Sequence, residues 1–115
     1  MTMDKIPLQQ MIMPLVVFDD TQFFAKDANH ALTVDDIKAW EKKNGEVPKG
    51  AFAALRTDMY KDWESDPEKF KRFHYQIEVM ANLDKVPEKG AVIVVTWPKV
   101  ENGFGFPARA FAILP

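Results

Sequence analysis

The sequence predicts an α/β domain, a small mixed sheet of about four strands with two helices. Three observations carry this. Four short apolar runs, at 14–20, 51–57, 91–97 and 106–114, are bounded by turn residues. A capped amphipathic helix stands between the first and second runs. A further stretch at helical spacing separates the second from the third.

The first run, PLVVFDD at 14–20, reads as a buried strand whose carboxylates, Asp19 and Asp20, emerge at its C-terminal end. Residues 21–31 show no period and read as a loop, with a short helical turn at Phe23 and Phe24. The span 32–45 is the best-marked helix. Thr33 can cap the first-turn N–H groups, and Asp36 stands where a side chain reaches back. Asp35 and Asp36 favour the positive end of the dipole, Lys42 and Lys43 the negative end. Ile37 and Trp40 form the apolar stripe, and Asn44-Gly45 supplies a left-handed stop.

The turn VPKG at 47–50 leads into AFAALRT at 51–57, and VPEKG at 86–90 leads into AVIVVTW at 91–97. This shared grammar predicts two strands entering one sheet by similar turns, rather than a repeat architecture. The unbroken apolar run from Val92 to Val95 suggests a strand covered on both faces. The last strand, FPARAFAIL at 106–114, carries one conspicuous charge, Arg109.

Two readings stand for 66–83. Phe70, Phe73, Ile77, Met80 and Ala81 fall at helical spacing after an Asp66-Pro67 start. On a helix, His74 and Glu78 share one edge of the apolar stripe. Alternatively the helix stops near Arg72, and His74, Gln76 and Glu78 alternate with Tyr75, Ile77 and Val79 along an extended segment.

Length and composition bound the function. A chain of 115 residues makes a single domain, 1–115. A net charge of -2 with a pI near 5.6 provides no field for nucleic acid or an anionic membrane. The absence of cysteine removes disulfides, thiol nucleophiles and cysteine-bound zinc, and suits a cytoplasmic protein. The first twenty residues lack the basic and long apolar segments of an export signal. No window approaches the roughly 20 apolar residues of a membrane span.

Candidate chemistry is sparse. His74 and Glu78, four apart, would converge on one metal ion from a helix, although such pairs more often make an ordinary boundary contact. Asp19, Asp20 and Asp58, each at the end of an apolar run, would line a crevice where parallel strands end, and loop solvation explains them equally well. His30 reads as a loop residue rather than a ligand. Arg109 would bind a substrate carboxylate or pair with an acid at a sheet edge. The Asn102-Gly103-Phe104-Gly105 segment precedes a strand, so it is a turn and not a phosphate loop.

Several blocks taken together resemble the cyclase family that includes bacterial kynurenine formamidases and isatin hydrolases. They are LTVDDIKAWE at 32–41, VPKG at 47–50, LRTD at 55–58, YQIE at 75–78, NLD at 82–84 and GFPAR at 105–109. They span most of the chain in family order. The resemblance implies part of a swivelling α/β hydrolase fold, commonly dimeric or tetrameric, that uses zinc or manganese to hydrolyse amides or lactams. It also implies that Glu78, the glutamate before the Asn82-Leu83 segment, descends from a metal ligand. Two features depart from the family. Its His-x-Gly-Thr-His-x-Asp-x-Pro motif is absent, and the segment between Trp63 and Phe73 is shortened. The expectation is a family member without catalysis on its own, or else a non-catalytic oligomerisation or binding module that keeps only the scaffold. Apolar surface left bare by the shortening would favour a homodimer or larger assembly.

Overall fold

The computed structural model describes residues 5–27, 30–58, 61, 80–103, 105 and 107–115. Four strands, β1 (Ile12–Asp19), β2 (Phe52–Arg56), β3 (Lys89–Thr96) and β4 (Arg109–Ile113), form one sheet in the spatial order β2-β1-β3-β4. β1 runs parallel to β2 and antiparallel to β3, and β3 runs antiparallel to β4. Helix α1 (Thr21–Phe24) is a single turn, and α2 (Val34–Asn44) is the long helix. The mixed four-stranded sheet and the helix at 32–45 are those the sequence predicts, with boundaries moved by one to three residues. α1 falls where the sequence allows a short helical turn, and most of the second predicted helix, 66–83, lies outside the described residues. Among the described residues, no helix is long and apolar enough to cross a membrane.

α2 forms where its capping signals place it. Asp36 N donates to Thr33 Oγ1 at 3.2 Å, and Thr33 N donates to Asp36 Oδ2 at 2.8 Å, a reciprocal box that satisfies orphan donors of the first turn. The helix ends at Asn44, and Gly45 takes φ +79°, a conformation that a side chain would strain. A Cβ there would also meet Lys89 Nζ at 3.3 Å. That ammonium donates to the carbonyls of Asn44 (3.0 Å) and Glu46 (2.8 Å), so β3 supplies the cation at the negative end of the helix.

The core has two layers, one on each face of β1. Leu15 and Val17 face one side with Ala54, Leu83, Ile93 and Val95. Val16 and Phe18 face the other, under Trp40 of α2. Phe18 and Trp40 pack with centroids 5.1 Å apart and rings tilted by 49°. The pairing of β1 with β3 shifts register between Pro14 and Val16, and Val17 N donates to Glu88 O, just before β3 begins. The carbonyl of Val17 lies past the start of β3, and Trp40 Nε1 donates to it at 2.9 Å.

Two expectations change. Coverage of 92–95 on both faces is replaced by alternation: Ala91, Ile93 and Val95 are buried, whereas Val92 and Val94 are only half-buried. The physical reason is that α2 covers the β1 side of this face and does not extend over β3. Most of 66–83 lies outside the described residues. Its last part is not α-helical, because Asn82 adopts φ 65° and Leu83 opens a short 3-10 turn over Leu83–Lys85.

Trp40→Phe keeps most of the ring and removes the indole donor, leaving the buried Val17 carbonyl unpaired. A loss of about 1–3 kcal/mol is expected from urea unfolding. A change below about 0.5 kcal/mol would show that the bond contributes nothing net.

Candidate functional site

β1 and β2 are parallel, so their C-terminal ends lie side by side, with Asp19 and Arg56 as register partners. This is the end of an α/β sheet where ligands usually bind. Asp20 N donates to the carbonyl of Arg56 at 3.0 Å and extends the pairing by one step. The Arg56 guanidinium is divided between two acids. Its Nε and Nη2 donate to the two oxygens of Asp58, each at 2.8 Å, and its Nη1 donates to Asp19 Oδ2 at 2.9 Å. Lys61 Nζ adds a 2.8 Å contact to Asp58 and lies 3.5 Å from Asp84. The Arg56 fork holds the Asp58 carboxyl well below the usual carboxylate range, against the opposing effect of burial and with help from Lys61. The same hydrogen bonds hold the Arg56 guanidinium firmly charged.

Beside this network sits a second, drier group. Asp20 is 2% exposed. Its Oδ1 lies 3.4 Å from His30 Nε2, which is also 3.8 Å from Asp36 Oδ2. Asp20 Oδ2 is buried without a hydrogen-bond partner among the described residues. The Phe23 ring stacks on the imidazole at 4.9 Å and 15°. Burial pushes the Asp20 carboxyl above its ordinary value; His30 opposes this, and Asp36 and Asp19 add to it. Asp36 is held low by its hydrogen bonds from Thr33.

An imidazole backed by a buried carboxylate has the outline of a base and its orienting group. The chemistry goes no further among the described residues. The hydroxyls of Thr21 and Thr33 are bonded to Asp19 and Asp36, and the Arg56 fork is already occupied by carboxylates. The group works as a joint that ties the end of β1 to the loop before α2 and to the cap of that helix.

The sequence-predicted site residues are dispersed. Asp19, Asp20 and Asp58 do gather at the ends of parallel strands, as expected of a crevice. His30, read from sequence as a loop residue, lies in a loop and reaches Asp20. His74 and Glu78 lie outside the described residues. Arg109 opens β4 opposite Thr96, beyond the Ile12–Val94 pair, at the other end of the sheet from Asp19. The eight residues of β1 span about 23 Å at strand rise between the two ends. Sequence reasoning passed over Arg56. Its only local signal is the Arg-x-Asp spacing to Asp58, because the Asp19 partner depends on the register of two distant strands.

The depressed Asp58 carboxyl fixes the sign of a pH effect. Its ionised form stabilises the fold above its unfolded pKa, about 3.9, and the contribution drains away as the pH falls below that value. Asparagine tolerates the left-handed φ of 58° at this position. Asp58→Asn is therefore expected to cost about 1 kcal/mol at pH 7. The deficit should shrink toward pH 2 in urea melts; a deficit independent of pH would contradict the charge account.

Comparison with known proteins supplies the family. The family described as Putative cyclase matches residues 1–104. Isatin hydrolase of Roseibium aggregatum is 27% identical over 166 aligned positions, covering 97% of this chain and 63% of the relative. A crystal structure of an isatin hydrolase bound to the product analogue thioisatinate superimposes with a TM-score of 0.79 at 26% identity, covering 99% of this chain and 64% of that one. Isatin hydrolase A from Ralstonia solanacearum, at 22% identity, shares the fold with a TM-score of 0.84, and the match again covers 99% of this chain and 64% of that one. The chain thus spans a little under two-thirds of the length of these relatives. With the match reaching from residue 1 to residue 104, the chain belongs to the cyclase family.

Proposed function

We propose that this chain is a cyclase-family scaffold of the kind that hydrolyses non-peptide amide or lactam C–N bonds, and that alone it does not turn such substrates over. The carrying observation is a mismatch. The family match runs over 1–104, yet the sequence has two histidines, no cysteine and no His-x-Gly-Thr-His motif.

The family implies a zinc or manganese ion, and the donor set among the described residues does not fit one. Among the described residues, no three of His, Cys, Asp and Glu stand together to hold a metal. Asp19 and Asp58 are engaged by Arg56 and Asp36 by Thr33, which leaves Asp20 with His30 as one carboxylate and one imidazole. His74 and Glu78 would bring two donors, one fewer than the three protein ligands usual for catalytic zinc. We therefore assign no step to a metal. A cytoplasmic setting accords with the absence of cysteine.

A second reading, a non-catalytic oligomerisation or binding module, is favoured by one observation: Ile12, Phe111 and Ile113 are 62%, 52% and 55% exposed on a sheet face.

The test offers the purified chain isatin and an aryl formamide, with and without zinc or manganese, alongside thermal melts of the parent and of Glu78→Ala. The expected result is no hydrolysis above buffer and no metal-dependent rise in Tm for either protein. A metal that bound only the folded chain would raise Tm by mass action. Metal-dependent turnover that disappears in Glu78→Ala would overturn the proposal.

A further inference from the structure

We propose that His30 is a proton-driven latch: its Nε2 pairs with Asp20 at the end of β1 while that carboxylate is charged, and passes to Asp36 of α2 when Asp20 takes up a proton. The inference holds whether or not the chain hydrolyses anything. The imidazole stands between two carboxylates. Its Nε2 is 3.4 Å from Asp20 Oδ1 and 3.8 Å from Asp36 Oδ2, and it is buried with no hydrogen-bond partner among the described residues. Neither distance is that of a settled bond, so a small slide of the ring exchanges one partner for the other. The Phe23 ring, stacked on the imidazole at 4.9 Å and 15°, guides such a slide, because offset stacked rings keep their contact as they move in plane.

The two acids differ in what supports their charge. Asp36 Oδ2 accepts from both Thr33 N and Thr33 Oγ1, and donors of this kind favour the ionised form. Asp20 is 2% exposed, and its Oδ2 accepts nothing among the described residues. Its backbone is held on both sides: Asp20 N donates to Arg56 O at 3.0 Å, and Phe24 N donates to Asp20 O at 2.9 Å. Taking up a proton removes the buried charge without moving that backbone.

The surrounding charges act the same way. Among the described residues they are Asp19 of β1 and Arg56 of β2, bonded to each other, with Asp35 exposed on the first turn of α2 and Lys26 and Asp27 exposed on the loop. Burial pushes the Asp20 carboxyl up, His30 opposes this, and Asp36 and Asp19 add to it. The Thr33 bonds hold Asp36 down. Falling pH therefore neutralises Asp20 first. The imidazolium is then left with Asp36, whose charge also offsets the positive end of the α2 dipole. Acid thus moves the anchor of the loop between α1 and α2 from the sheet to the helix cap. The sign for stability is opposite to that of Asp58. A raised carboxyl adds stability below its unfolded value of about 3.9, and the contribution is lost as the pH rises through the folded value.

The test is a pH titration of the isotope-labelled full chain by NMR. It follows the side-chain carboxyl carbons of Asp20 and Asp36 and the ring of His30, assigned with His30→Gln. Asp20 is expected to titrate at higher pH than Asp36. The His30 ring is expected to shift in step with Asp20, and its proton contacts to the Asp36 methylene to strengthen below that step. Asp20→Asn mimics the protonated acid. It is expected to remove the step from the ring and to melt a few degrees above the parent at pH 7, with the difference closing in acid. If Asp20→Asn does not fold, the titration of the parent decides alone. The proposal is overturned if Asp36 titrates first or together with Asp20, or if the chain unfolds before Asp20 takes its proton. A His30 ring unmoved through the Asp20 step overturns it too, as does a folded Asp20→Asn that melts below the parent at pH 7.

Discussion

The hydrogen bond from the Trp40 indole to the Val17 carbonyl is the constraint on which much of the molecule depends. Among the described residues β1 and β3 are the two inner strands, and of these β1 has neighbours that run in opposite senses. The pairing of β1 with β3 shifts register beside Pro14 and begins only near Lys89. That arrangement leaves a main-chain acceptor in the buried interior. An unpaired acceptor there would be costly, and Trp40 fills the position while its ring closes over Phe18. From that anchor the rest of α2 follows. Asn44 Nδ2 bonds back to the Trp40 carbonyl and also reaches Glu88, which in turn takes Lys43. The end of the helix is thus fastened to the start of β3 by charge and to β1 by the indole.

The C-terminal ends of β1 and β2, two residues past Val17, are organised by electrostatics rather than by packing. Arg56 gathers Asp19 and Asp58, which would otherwise repel each other, through one bond from each of its three nitrogens. Asp20, one residue further along, is left dry and is answered only by a half-buried imidazole. In a larger relative such a strand end is a natural place for chemistry. Among the described residues of this chain, Asp19, Arg56 and Asp58 at that end are bound to one another.

Much of the fold was legible because it rests on local signals. The Thr33–Asp36 box, the Lys42-Lys43 tail and Asn44-Gly45 specify α2 almost residue by residue. The two Val-Pro turns announced β2 and β3. What they did not reveal is direction. The same turn grammar admits one strand parallel and the other antiparallel to β1, because direction depends on the connection and not on the turn. The site was harder still. Asp19 and Asp20 were visible as the acids ending a strand, but their partners arrive through tertiary register: Arg56 from β2, His30 from a loop without a period. The run at 92–95 misled because an apolar sequence records what a face would bury, not what is present to cover it.

The placement of β1 has a consequence for how the chain acquires its structure. Its antiparallel partners lie far along the sequence, Ile12 with Val94 and Met13 with Ile93, so the central ladder closes only after the chain has been made as far as β3. Loop-closure entropy must be met before those contacts return anything, which places the domain among slow, high-contact-order folders. Until β3 emerges during synthesis, Leu15, Val16, Val17 and Phe18 form an apolar strand with an open edge, a template for pairing with other chains. The segment most completely buried in the finished molecule is the one exposed longest while it is being made.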